Sequence, residues 1–190
     1  MIDLRAEYPD PPEGGLQILT PDLELAPGEE AMRCLYQTWE GGDVGVTSFI
    51  PLHPWQYHHH SLVKDVGPNN LDVNDGDFLP CFDAEYGYPG EYQDASGAPL
   101  IQSYRMGVPQ GTGDWLALPD GYAFRLADGT KLSADVHYIN TTDKTLLVNN
   151  AFNLGLVPAD EVTAWLSPME LDAGKLSLPP ATETLSLIHI

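Results

Sequence analysis

Two stretches of the chain alternate between apolar and polar positions with the period of two that a half-buried β-strand requires. From Lys131 to Asn140, Leu132, Ala134, Val136 and Tyr138 fall on one side; Lys131, Ser133, Asp135 and His137 fall on the other. From Thr145 to Val157, Val148, Phe152, Leu154 and Leu156 oppose Asn149, Ala151 and Asn153. Shorter runs predict strands over Ala31 to Trp39, Val44 to Ile50, Tyr57 to Val66, Leu116 to Pro119, Gly121 to Leu126 and Glu161 to Leu166. Turn residues punctuate them at Gly28-Glu29-Glu30, Gly41-Gly42-Asp43 and Thr141-Thr142-Asp143. Asp128-Gly129 between two runs is a hairpin signal, and Pro51 and Pro54 are expected to end the Val44 strand. No stretch has a convincing helical period. The pattern predicts an all-β fold, an antiparallel β-sandwich of jelly-roll type.

Outside these runs the pattern weakens. Residues 1–22 carry Pro9, Pro11, Pro12 and Gly14-Gly15 and read as an extended leader, with the folded part starting at Leu23. Residues 67–114 show little periodicity, and so long a loop in a compact domain calls for a purpose, such as one wall of a site pinned by Cys81. Within it, Asp72-Val73-Asn74-Asp75-Gly76-Asp77 resembles a calcium loop. Its Gly falls one residue early and the closing Glu is absent, so a solvated acidic loop is the expectation. Leu176-Ser177-Leu178-Pro179-Pro180 reads as a strand entering a new unit, which residues 173–184 would begin. The last six residues, Leu185 to Ile190, match the translation of a transposon end used in preparing DNA libraries. The natural sequence is therefore expected to stop near Thr184, and His189 is set aside.

Composition narrows the partners. The 190 residues carry 28 Asp and Glu against 8 Lys and Arg, a net charge of −20. A nucleic-acid surface needs a basic face, and an anionic membrane surface attracts one, so neither partner is expected. No apolar run reaches the roughly 20 residues of a membrane span, and Met1 to Glu7 shows no signal peptide. The two cysteines, Cys34 and Cys81, fit one disulfide in an exported protein or two buried thiols in a cytosolic one.

The histidines carry the candidate chemistry. Of six, His53, His58, His59 and His60 lie within one short stretch, and His137 stands on the polar side of its strand. Neutral imidazole is the commonest protein ligand for transition metals. Three imidazoles without a thiolate suit copper or zinc. In a regular strand His58 and His60 share a face while His59 points away, and an adjacent pair can serve one metal only where the backbone bulges. A nucleophilic site has little support, because Gly-x-Ser-x-Gly is absent and neither cysteine has an evident His partner.

The sequence resembles the copper type II, ascorbate-dependent monooxygenases, the group of the peptidylglycine α-hydroxylating and dopamine β-monooxygenases, and especially their bacterial members. Pro27-Gly28-Glu29-Glu30-Ala31-Met32-Arg33-Cys34 looks like the opening of that family's first domain. His59-His60-Ser61-Leu62-Val63 looks like its His-His pair. Pro119 to Leu126 followed by Val136-His137-Tyr138-Ile139-Asn140 is similar to the segment that delivers the third histidine. The resemblance implies a copper-binding jelly-roll domain over residues 23–172, a ligand set of His59, His60 and His137 with His58 as the alternative, a Cys34–Cys81 disulfide, and export to the periplasm or exterior. It also implies that this domain passes electrons from a small reductant such as ascorbate. C–H hydroxylation of an organic substrate would occur at a second copper, in a domain that this chain lacks, since no His-x-His follows His137. Two other readings stand beside it: a non-catalytic extracellular β-sandwich with structural or metal-storing histidines, and a zinc hydrolase, whose three-histidine metal leaves a position for water.

Overall fold

The computed structural model describes residues 1–54, 56–65, 73–81, 101–104 and 116–167. The expectations for residues 173–184 and 185–190 lie outside them. Among the described residues there are fourteen strands, one short 3-10 turn at Ala159–Glu161 and no α-helix. The strands are β1 (Ile2–Asp3), β2 (Leu16–Leu19), β3 (Leu23–Leu25), β4 (Glu30–Thr38), β5 (Val44–Leu52), β6 (His58–Asp65), β7 (Phe78–Pro80), β8 (Ile101–Tyr104), β9 (Leu116–Ala117), β10 (Tyr122–Leu126), β11 (Lys131–Ile139), β12 (Leu146–Val148), β13 (Ala151–Pro158) and β14 (Ala164–Leu166).

They form three sheets. One runs β1-β12-β3; a second runs β14-β10-β5-β13-β2, with β9 also on β5; the third runs β7-β4-β11-β6-β8. Pairing is antiparallel except for β1 with β12 and β10 with β14. The all-β, mainly antiparallel fold predicted from the alternation is the one observed. One apolar core lies among the sheets, with Ile18, Leu25, Val46, Phe49, Val63, Leu126, Val136, Tyr138, Leu146 and Phe152 all buried in it. Each such aliphatic or aromatic side chain contributes about 1.5–3 kcal/mol relative to exposure.

The alternation of β11 is realised as read. Leu132, Ala134, Val136 and Tyr138 enter this core, and His137 points to the other face of the third sheet, beside Met32 of β4 and His60 of β6 in register. That other face is not simply solvated. Cys34, Tyr36, Val73 and Cys81, with Met32 and Leu79, form a second small apolar cluster on it. The Cys34–Cys81 disulfide closes this cluster, with Cα atoms 5.2 Å apart, and ties the end of β7 to β4. Within the segment read as a featureless loop, β7 and β8 therefore extend the third sheet at both edges.

Four expectations are corrected. Asp128-Gly129 forms the expected tight turn, with Thr130 N–H donating to the Ala127 carbonyl and Gly129 at φ 76°. It does not make a hairpin, because β10 pairs with β5 and β11 with β4 and β6. The turn is a corner between two sheets. The run Thr145 to Val157 is likewise two strands, β12 and β13, in different sheets. The break falls at Asn149-Asn150: the Asn149 side chain accepts from Ala6 N–H, and Asn150 N–H donates to Thr20 Oγ1. Pro51 does not end β5, which continues to Leu52. There β5 pairs on one side with β13, and β9 and β10 have already left its other side, so the missing N–H costs no ladder bond among the described residues. Residues 1–22 are extended but no separate leader: β1 and β2 are sheet members, and Ile18 is 1% exposed.

Candidate metal centre

The centre is made by a fault in strand pairing. β11 runs antiparallel to β6 in even register from Leu132↔Asp65 to His137↔His60, and then jumps to Tyr138↔His58. His59 is the extra residue, opposite no single partner, which is a β-bulge. Alternation would have put His58 and His60 on one face. The bulge inserts one residue, so His58 turns into the core opposite Tyr138, and His59 and His60 both turn to the face that carries His137.

The three rings then converge. His59 Nδ1 lies 3.0 Å from His137 Nδ1, and His60 Nδ1 lies 3.4 Å from it. Ring centroids are 4.7 Å apart for both His59–His137 and His60–His137, and 5.0 Å for His59–His60. One ligand atom from each of the three lies within 4.8 Å of the others. With metal–nitrogen bonds of about 2.0–2.1 Å, two nitrogens on one ion stand roughly 2.9 Å apart at a right angle and roughly 3.3 Å apart at the tetrahedral angle. The spacings to His137 are thus those of a shared ion's coordination edges. An Nδ1 lone pair facing another across 3.0 Å needs a proton or a metal between them.

Electrostatics keeps the His60 nitrogen available as a donor. Burial, followed by the neighbouring His137 and His59 and by Lys64, pushes the His60 imidazole down to about 4. It is therefore neutral near pH 7, the form that binds metals. His137 has only 12% of its side chain exposed, and its Nε2 lies 2.7 Å from Glu30 Oε1.

His58 is a different kind of histidine. It is buried, stacks on His53 with centroids 3.6 Å apart, and meets the Tyr138 ring edge-on. Neither of its ring nitrogens has a hydrogen-bond partner among the described residues, and burial holds its pKa well below the usual range. Its place on the core side sets it apart from the converging trio. The second group of potential ligands, Cys34, Cys81 and Asp135, is no metal site, because both sulfurs are consumed in the disulfide. Asp135 is instead paired with Lys64 and accepts from Ser133, while burial raises its pKa.

Sequence reasoning missed Glu30, which it read as part of a turn. Only the register shows that residue, two positions from Met32, coming diagonally within reach of His137. No protein-family model matches the chain, and no curated protein matches it significantly.

Proposed function

We propose that the chain is the copper-binding, electron-transferring domain of a copper type II, ascorbate-dependent monooxygenase, built as a jelly roll. The observation that supports this most is the convergence of His59, His60 and His137 through their Nδ1 atoms on one face of the sheet. The donor set fits the metal: three imidazoles with no thiolate suit copper or zinc. Copper held there would supply one-electron redox chemistry. The chain's own part is to present the three nitrogens at fixed spacing. The bulge sets His59 and His60, and β11, locked between β4 and β6, sets His137. In this reading the domain relays electrons from a small reductant, and hydroxylation of an organic substrate belongs to a second copper domain. The Cys34–Cys81 disulfide is compatible with export, and among the described residues no helix is long and apolar enough to cross a membrane.

A zinc hydrolase would need a base beside the metal's water position. Among the described residues, the carboxylate that touches the trio, Glu30, is engaged on the far nitrogen of His137, which favours the redox reading. A non-catalytic sandwich with structural histidines would not require three Nδ1 atoms to face one another. The deciding experiment loads the protein with one equivalent of Cu(II), adds ascorbate without oxygen, and then admits oxygen. The expected outcome is full reduction to Cu(I) and reoxidation over repeated cycles, with no hydroxylated product from added peptide or amine substrates. Failure to hold copper through a desalting step, or stoichiometric zinc with ester hydrolysis, overturns the proposal.

A further inference from the structure

Glu30 lies outside the three-nitrogen set, yet it decides which atom of His137 can join it. A carboxylate only accepts hydrogen bonds. With Glu30 Oε1 2.7 Å from His137 Nε2, that nitrogen must carry the proton. In the neutral ring the lone pair then belongs to Nδ1, the atom that lies 3.0 and 3.4 Å from the Nδ1 atoms of His59 and His60. The two nitrogens of an imidazole point apart, so Glu30 cannot reach the same ion as its partner nitrogen does.

The geometry points to Glu30 as the positioning residue of the centre: its carboxylate fixes the tautomer and rotation of His137 so that Nδ1 faces His59 and His60. This rests on reading the three histidines as a metal centre. Metal-bound histidines commonly give their second N–H to a carboxylate, which orients the ring and raises its basicity. The neighbouring Glu29 is committed elsewhere, accepting the Ala26 N–H at 2.7 Å through Oε2. Glu30 opens β4 opposite Ile139, the residue two beyond His137 on β11, and its side chain is 64% exposed. Nothing else in the fold depends on its carboxylate among the described residues, so its removal leaves the sheet standing. An anionic partner that pushes electron density into His137 also favours Cu(II) over Cu(I).

The test uses Glu30→Ala and Glu30→Gln in the full chain, with unchanged far-ultraviolet circular dichroism as the control. In metal-free protein, nitrogen-15 NMR of the His137 ring should show Nε2–H in the parent and a mixture of tautomers in Glu30→Ala. Copper affinity should fall about 10–100-fold in Glu30→Ala and less in Glu30→Gln, whose carbonyl still accepts. The copper potential should move positive in both. An unchanged His137 tautomer in Glu30→Ala overturns the inference, as does unchanged affinity and potential with copper bound. If the parent protein binds no copper but the tautomer shifts as expected, the positioning role stands and the metal reading alone fails.

Discussion

At the scale of single residues, the histidine triplet divides into two jobs, and His58 shows it most clearly. It is a polar side chain spent as core, with two buried nitrogens lacking partners among the described residues. Replacing both members of a missing hydrogen bond by apolar atoms of similar shape is close to neutral, whereas an unmet buried polar atom costs roughly 1–3 kcal/mol. His58→Phe should therefore keep the fold, keep or raise the denaturation midpoint, and retain copper; His59→Ala should keep the midpoint and lose copper. Urea titrations and metal analysis of both variants check this, and loss of copper in His58→Phe would assign the ligand the other way. His58 also fixes a pH dependence. Its folded-state pKa is depressed by burial, and then by His53, so below its ordinary value of 6.5 the unfolded chain binds a proton that the folded chain refuses. Its contribution to stability therefore declines as pH falls below about 6.5 and is level above it. Metal-free protein should lose stability from pH 7 to 5, with a shallower slope in His58→Phe; equal slopes would contradict that assignment.

At the scale of elements, the alternation of β11 was legible because each of its core positions is apolar, and a one-residue slip would have exposed all four. The bulge in β6 was not legible, since three identical residues in a row carry no phase. What fixes it is the demand of the neighbours: Val63 and Ser61 must stay opposite Ala134 and Val136, and the core accepts one imidazole beside Tyr138. The corner at Asp128-Gly129 and the split at Asn149-Asn150 were misread for a related reason. Local turn chemistry tells where the chain bends, and long-range pairing decides whether the two arms meet. Deleting His59 should remove the extra residue and leave regular β6–β11 pairing. The predicted outcome is a folded protein with a circular dichroism spectrum like the parent's and no tight copper binding; retained tight binding would mean that the bulge is not what builds the centre. The disulfide acts on the same sheet. It closes a loop with a sequence separation of 47 residues, for which chain entropy gives about 4 kcal/mol. Cys34→Ala with Cys81→Ala should lower unfolding free energy by about 2–5 kcal/mol, measured by denaturant titration. A change near zero would show that the apolar cluster around Cys34 holds β7 without it.

At the scale of the whole molecule, a net charge of −20 surrounds a centre whose proposed work is to accept electrons. A field of that sign slows anionic reductants and speeds cationic ones, and salt removes both effects as the Debye length shrinks from ~30 Å at 0.01 M to ~3 Å at 1 M. Reduction of the copper-loaded protein should therefore slow with rising salt for a cationic ruthenium ammine and accelerate for ascorbate. Opposite or absent salt trends, read by stopped flow, would show that the electron enters where the net charge is not felt. Charge and the all-β, mainly antiparallel character were both plain in the sequence, because they are sums over many residues. The centre was only half plain: His137 stood out by strand parity, and His59 with His60 by resemblance alone. The account turns on whether those three nitrogens hold one metal together. The most direct measurement is electron paramagnetic resonance of the protein with one equivalent of Cu(II), alongside His58→Phe, His59→Ala, His60→Ala and His137→Ala. The account predicts a single type II signal with nitrogen couplings at full occupancy in the parent and in His58→Phe, and its loss or rearrangement in each of the other three. A signal that survives intact in His59→Ala, His60→Ala or His137→Ala would contradict it.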